Sequence, residues 1–162
     1  METNNKSQYK ATPMMEFGEA VKTGLHKWLD FKGRARRSEF WWCSFFVGLI
    51  KCAGKFLDGF FQWTIGDFKV FSSMVSILFF LPISALLIRR LHDIGLIGWW
   101  VVGYYVLYAI ILLSTYVDVH NSILFIVNTA IVLVCFLFLL AAFIDSQKGV
   151  NKYGPSNKYI PL

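Results

Sequence analysis

Four apolar runs, each about as long as a membrane-crossing helix, dominate the sequence. Crossing roughly 30 Å of hydrocarbon takes about 20 helical residues, and the runs lie at about 40–61, 68–88, 98–117 and 122–144. Only 16% of the 162 residues are charged, too few to cover a soluble domain of this size. The sequence predicts an all-α membrane protein with four transmembrane helices in an antiparallel bundle. Pro82 predicts a kink in the second.

The basic residues are distributed in a way that predicts orientation. Eight of the sixteen Lys and Arg precede the first run, Arg89 and Arg90 lie between the second and third, and three follow the fourth. The loops QWTIGD and DVHN contain none. Since short loops rich in Lys and Arg are retained in the cytoplasm, both termini are predicted to be cytoplasmic. The net charge of +6 then indicates anionic lipid headgroups as the partner of the basic residues, rather than nucleic acid.

The segment 16–30 precedes the first run and has helical periodicity. The apolar residues that share one face are Phe17, Val21, Leu25, Trp28 and Leu29. This pattern predicts an amino-terminal amphipathic helix lying in the membrane interface, with a helix packed on a partner as the alternative. The polar residues 1–15 are predicted to be a disordered tail and 159–162 a second tail, which leaves 16–158 as the integral membrane domain.

Three polar stretches are predicted to meet at one membrane face: FKGRARRSEFWW at 31–42, RRLHDIGLIGWW at 89–100 and KGVNKYGP at 148–155. Helices spaced about 8 to 10 Å apart let their side chains touch. The predicted cluster consists of Arg34, Arg37, Glu39, Arg89, Arg90, His92, Asp93, Asn151 and Tyr153. One interpretation is structural, with ion pairs holding the helices together. The other is a binding site for anionic headgroups or a partner protein.

The first run also carries a polar face at helical spacing. Its residues are Ser44, Gly48, Lys51, Lys55, Asp58 and Gln62. Charges inside a membrane usually face a bundle interior or a wet cavity, and Lys55 and Asp58 are spaced to pair. Lys51 lies near the middle, where a charge costs about 2.5 to 3.5 kcal/mol on insertion scales. This face suggests a solute pathway in an oligomer, although Lys55 alone is explained by snorkelling.

The three polar stretches, in this order and separated by apolar runs, resemble the domain-of-unknown-function 805 family of small bacterial inner-membrane proteins. The matching residues are Phe31, Gly33, Arg34, Arg37, Glu39, Trp41, Arg89, Arg90, Leu91, His92, Asp93, Gly95, Trp99, Asn151, Tyr153, Gly154 and Pro155. The resemblance covers about 16–158 and implies a multi-span helical protein of the bacterial inner membrane with cytoplasmic motifs. It implies no reaction and gives no support to a role for Lys51 or Lys55.

Three functions remain open from the sequence. The favoured one is a non-enzymatic binding or assembly protein for headgroups, a protein partner or a second copy of the chain. The others are a small oligomeric transporter, and an enzyme in which His92 acts as acid or base and Asp93 orients it. The sequence shows no nucleophile elbow, metal-ligand spacing or phosphate-cradling glycine loop. It therefore predicts no catalytic residue, cofactor or metal.

Overall fold

The computed structural model describes residues 9–62, 64–65, 68–114 and 120–162. The helices are α1 (Phe17–His26), α2 (Arg37–Phe61), α3 (Val70–Leu78), α4 (Phe80–Asp93), α5 (Trp99–Ser114) and α6 (Asn121–Phe143). The strands are β1 (Tyr9–Ala11), β2 (Thr64–Ile65), β3 (Phe68–Lys69), β4 (Val150–Asn151), β5 (Gly154–Pro155) and β6 (Tyr159–Pro161). Three antiparallel pairs join β1 to β6, β2 to β3 and β4 to β5.

Two of the described helices are long and apolar enough to cross a membrane alone. Helix α2 has 25 residues and α6 has 23, which gives lengths of about 37 and 34 Å. Helices α3 and α4 pass the same test together, as one span bent by 43°. Helix α5 is apolar but has 16 residues, and 115–117 of its predicted run lie outside the described residues. The chain is thus mainly helical, with two or three candidate spans.

The bend between α3 and α4 lies at Phe79, three residues before Pro82. A proline ring clashes with the carbonyl four residues earlier, which here belongs to Leu78, the last residue of α3. Pro82 itself is tolerated because it falls in the first turn of α4. The predicted kink is confirmed.

Both predicted tails contribute to a strand pair. Tyr9 lies opposite Pro161 and Ala11 opposite Tyr159, and the amide of Thr12 donates to the Lys158 carbonyl at 2.7 Å. The prediction of disorder is therefore wrong for 9–11, which pair with 159–161 of the second predicted tail, because each strand satisfies the backbone groups of the other. Residues 1–8 of the predicted disordered segment lie outside the described residues.

Helix α1 packs on α2 through small residues. Ala20 and Gly24 are buried, and a Cβ placed on Gly24 would lie 2.4 Å from Cys43 Sγ. The larger apolar residues of α1 stay partly exposed, including Leu25 and also Phe17, whose ring contacts that of Trp42. The helix ends at His26, four residues before the end of the predicted segment 16–30.

Candidate functional site

A layer of buried charge joins α4 to the segment that precedes α2. Arg34 Nε lies 2.9 Å from Asp93 Oδ1, and Arg90 Nη1 lies 2.6 Å from Asp93 Oδ2. Arg89 Nη1 lies 2.8 Å from Glu39 Oε1. None of these five side chains is more than 2% exposed. We call Arg34, Glu39, Arg89, Arg90 and Asp93 the arginine layer.

Local backbone geometry aligns this layer. Arg90 and Asp93 are one turn apart at the end of α4, so their side chains lie on the same face of the helix. The segment before α2 docks on that turn because the amide of Ala35 donates to the Arg89 carbonyl at 2.9 Å. This contact places Arg34 beside Asp93.

The Arg34 guanidinium also holds the carboxyl-terminal hairpin in place. It donates to the carbonyl of Gly149 at 2.9 Å, to that of Gly154 at 3.2 Å and to that of Gln147. In return, Asn157 Nδ2 donates to the Arg34 carbonyl. One side chain therefore ties the predicted motif at 148–155 to the predicted motif at 31–42.

Arg90 binds carbonyls at the end of α6, as Arg34 binds those of the hairpin. Its Nη2 donates to the carbonyls of Ala141 at 3.2 Å, Ala142 at 3.5 Å and Ile144. The last carbonyls of a helix have no partner within the helix and carry partial negative charge, so a cation stabilises them. Arg90 thus joins α4 to α6 while its other nitrogen pairs with Asp93.

His92 and Tyr153 form a stacked pair on the outer side of the layer. Their ring centroids are 3.7 Å apart with the planes at 10°. His92 Nδ1 lies 3.2 Å from the Gly33 carbonyl, and Asn151 Nδ2 donates to the His92 carbonyl at 2.9 Å. Asn151 Oδ1 accepts from the Tyr153 amide at 2.9 Å, which stabilises the hairpin turn.

The contacts of Asp93 do not match the role that the enzyme hypothesis gives to this residue. That hypothesis required Asp93 to orient His92. Instead, its two carboxylate oxygens accept hydrogen bonds from Arg34 and Arg90. Adjacent residues on a helix point about 100° apart, which explains why His92 and Asp93 do not bond to each other.

Arg37 lies outside the buried layer. Its Nη2 is 3.1 Å from Asp145 Oδ1, and both side chains are more than 40% exposed. Asp145 also accepts from Lys158 Nζ at 2.6 Å and from Tyr159 Oη at 2.9 Å. Burial acts to raise the pKa of Asp145, but the hydrogen bonds from Lys158, the Ser146 amide and Tyr159 outweigh it and hold the pKa at about 2.

A groove of about 580 Å³ opens beside Arg37, between α2, α6 and the chain ahead of α1. Its polar lining includes Arg36, Arg37 and Lys158, and its apolar lining includes Trp41, Trp42, Phe45 and Phe143. The Trp41 and Phe143 rings are 4.9 Å apart and form part of the apolar wall. We call this surface the interfacial groove.

The polar face predicted on α2 contains one buried carboxylate and two exposed lysines. Asp58 is buried and accepts hydrogen bonds from the amides of Phe71 at 2.7 Å and Ser72 at 2.9 Å, so it caps the first turn of α3. The predicted pairing of Lys55 with Asp58 is not formed: the carboxylate is turned toward the amides at the start of α3, and Lys55 is exposed. Lys51 and Lys55 are exposed, and neither forms an ion pair with a residue that the structure describes.

Sequence reasoning missed two side chains that organise this region. Arg36 was counted only as a topological charge, yet it donates to Thr12 Oγ1 at 2.7 Å and to the Pro13 carbonyl at 2.6 Å. Asp145 was not singled out at all. Its position immediately after the last apolar run, opposite a basic motif, was the available signal.

These features define a helical membrane protein whose charged motifs meet around buried arginines. The family model described as "Protein of unknown function (DUF805)" matches residues 28–155, and the chain belongs to this family. The resemblance drawn from the three motifs is confirmed.

Two relatives come from Escherichia coli strain K12. The inner membrane protein YhaH is 34% identical over 77 residues, which is 47% of this chain and 64% of YhaH. The inner membrane protein YhaI is 36% identical over 83 residues, 51% of this chain and 67% of YhaI. The match thus spans a little under two thirds of YhaH. No solved structure matches the chain. The relatives' names support the predicted inner membrane location.

Proposed function

We propose that this chain is a non-enzymatic, four-span inner-membrane protein that binds an anionic phospholipid at the interfacial groove. The topology rests on α2, the bent α3–α4 pair, α5 and α6 as successive spans. Thirteen of the sixteen basic residues then fall on one side together with both termini, which is the cytoplasmic side by the positive-inside rule. Helix α1 lies in the interface on that side, with its exposed apolar residues toward the lipid.

Arg34 and Arg90 are unsuited to direct contact with a headgroup. Arg34 and Arg90 have fully buried side chains, and their guanidinium groups are bonded to Asp93 and to backbone carbonyls. A phosphate would have to displace these bonds. The headgroup-binding role predicted for the whole cluster therefore falls to the more exposed cations next to it, Arg37 and Lys158.

The interfacial groove combines the two kinds of surface that a phospholipid presents. Arg36, Arg37 and Lys158 outnumber the single carboxylate of Asp145, which leaves positive charge for a phosphodiester. Directly beside them, Trp41 and Phe143 offer apolar surface at the depth where acyl chains begin. This juxtaposition is the observation that carries the proposal.

Lipid retention after purification tests the proposal. The full chain is extracted into detergent, reconstituted in discs with equal amounts of phosphatidylglycerol and phosphatidylcholine, and analysed by native mass spectrometry. We expect bound phosphatidylglycerol in the wild type and a reduction of about tenfold in affinity for Arg37→Gln, since one charge-assisted contact is lost. Lys152→Gln removes the same charge away from the groove and is the control. Equal retention of both lipids by the wild type, or equal losses in the two variants, would refute the proposal.

A second candidate function, passage of an anionic solute between copies of the chain, is favoured by the exposed Lys51 and Lys55. Four spans are few for one transporter, so this function needs an oligomer with the polar faces of α2 turned inward. Cysteine cross-linking at Gly48 tests it: a dimer bond that forms in membranes supports the arrangement, and exclusively monomeric protein excludes it.

A further inference from the structure

A second pocket borders the arginine layer, with Arg34 and Arg89 in its lining. It has a volume of about 160 Å³ and lies between the segment after α1, the end of α4 and the carboxyl-terminal hairpin. Its lining includes Lys27, Asp30, Lys32, Arg89 and Tyr153. It shares no lining residue with the interfacial groove.

Arg89 is the unusual member of this lining. Its side chain is 1% exposed and its Nη1 pairs with Glu39, but its Nε and Nη2 have no hydrogen-bond partner among the described residues. Buried guanidinium donors are nearly always satisfied, because water has been removed from them. Two buried, unpartnered donors on a residue of the pocket lining are suited to an oxygen-rich ligand.

The charges around the pocket favour an anion. Glu39 neutralises Arg89 at 2.8 Å, and the Asp30 carboxylate accepts a hydrogen bond from the Lys32 amide at 2.9 Å. The ammonium groups of Lys27 and Lys32 then outnumber the remaining carboxylate of Asp30. An anion would therefore meet two lysines at the pocket and the planar fork of Arg89 in its wall.

We infer that this pocket binds a phosphate group, held by Arg89 Nε and Nη2 and by Lys27 and Lys32. Sites for drug-sized ligands have volumes of about 300 to 1,000 Å³, so 160 Å³ suits inorganic phosphate or the terminal phosphate of a larger molecule. The inference is independent of the lipid-binding proposal because the two sites use different residues.

Phosphate binding to the detergent-purified full chain tests the inference, with isothermal calorimetry and thermal unfolding measured against chloride at equal ionic strength. We expect a rise in melting temperature that is specific to phosphate. The double variant Lys27→Gln and Lys32→Gln should bind at least about tenfold more weakly, since charge-assisted contacts are lost. Lys22→Gln is the control, because Lys22 lies on α1 and outside the pocket lining. This variant should bind phosphate normally.

A second variant probes the buried donors. Arg89→Lys keeps a cation for Glu39 but removes the fork, so it should lose phosphate binding. If Arg89→Lys does not fold, the double variant Lys27→Gln and Lys32→Gln decides whether the pocket binds phosphate. Displacement of phosphate by short-chain phosphatidic acid would identify a lipid headgroup as the ligand, and failure to displace it a soluble phosphate; both support the site. A phosphate effect no larger than that of chloride, or an unchanged affinity in the lysine variant, would overturn it.

Discussion

The arginine layer and the lysines of α2 show two opposite ways of placing charge in a membrane protein. Arg34 and Arg90 are buried and share the carboxylate of Asp93. Lys51 and Lys55 lie along a candidate span and remain exposed. The difference indicates that charge is accommodated at these helix ends by surrounding carbonyls and carboxylates, whereas Lys51 and Lys55 have no ion-pair partner among the residues that the structure describes.

The chemistry of the two side chains explains this division. A guanidinium offers five donors in a planar fork, so Arg90 can bond Asp93 and the end of α6 together. A lysine ammonium has three donors, but they diverge from a single nitrogen at the end of a flexible stem and lack the planar fork. The buried layer therefore consists of arginines, and we expect its loss to be far more costly than loss of either lysine.

Asp93→Asn should have the largest effect, because it leaves Arg34 and Arg90 buried without a counter-charge. Breaking a buried pair costs about 3–5 kcal/mol. The measurement is thermal unfolding in detergent, together with the yield of monodisperse protein. Glu39→Gln, which strips Arg89 of its partner, is the companion variant and should also be destabilised. Wild-type stability in Asp93→Asn would show that the layer does not hold the fold.

Tyr153→Ala should be destabilising by a smaller amount. It removes the ring stacked on His92 at 3.7 Å, and an aromatic pair contributes about 0.5–1.5 kcal/mol beyond the area buried. Tyr153→Phe keeps the ring and should retain wild-type stability in chemical unfolding. Equal losses in the two variants would assign the contribution to the hydroxyl instead.

The ion pairs of Asp145 should give a weak dependence of stability on pH. The native pKa of about 2 lies below the unfolded value of about 3.9. Its contribution is therefore complete above about pH 4 and is lost as the pH falls toward 2. We expect the melting temperatures of wild type and Asp145→Asn to differ at pH 6 and to converge near pH 2. A constant difference across this range would contradict the assignment.

Lys51→Met should have the smallest effect on the stability of the monomer. The lysine makes no ion pair with a described residue, and methionine occupies a similar length without the charge. Unfolding of the detergent-solubilised monomer measures this. A large loss of stability would mean that Lys51 has a partner within the fold and would break the contrast with the arginine layer.

The sequence predicted the meeting of the three motifs, because loop charge and run length led to the expectation that all three lie on one side of the membrane, and the structure brings them together. The helical period also predicted that His92 and Asp93 would bond to other segments rather than to each other, and both contact the segment before α2, at Gly33 and Arg34. The structure adds which atoms pair. Asp93 binds Arg34 and Arg90 rather than Arg37, a choice that depends on where the segment before α2 docks.

Other parts of the fold carried no usable sequence signal. Strands β1 and β6 contain three residues each, which is too short to show a recognisable alternation of apolar and polar residues. Because they lie at opposite ends of the chain, nothing in the local sequence indicated that they pair. The capping of α3 by Asp58 needs α2 and α3 to pack first, and the sequence spacing instead suggested Lys55 as its partner. Periodicity and charge distribution therefore did not predict these two contacts between distant segments.

We propose a division of roles, in which buried arginines stabilise the fold and the exposed cations of the interfacial groove, Arg37 and Lys158, bind lipid. Measuring melting temperature and phosphatidylglycerol retention in parallel on Arg90→Lys and Arg37→Gln tests it most directly. We predict that Arg90→Lys lowers the melting temperature because the fork is lost, whereas Arg37→Gln loses lipid at a nearly unchanged melting temperature. Retained lipid in Arg37→Gln, or equal destabilisation of the two variants, would contradict the account.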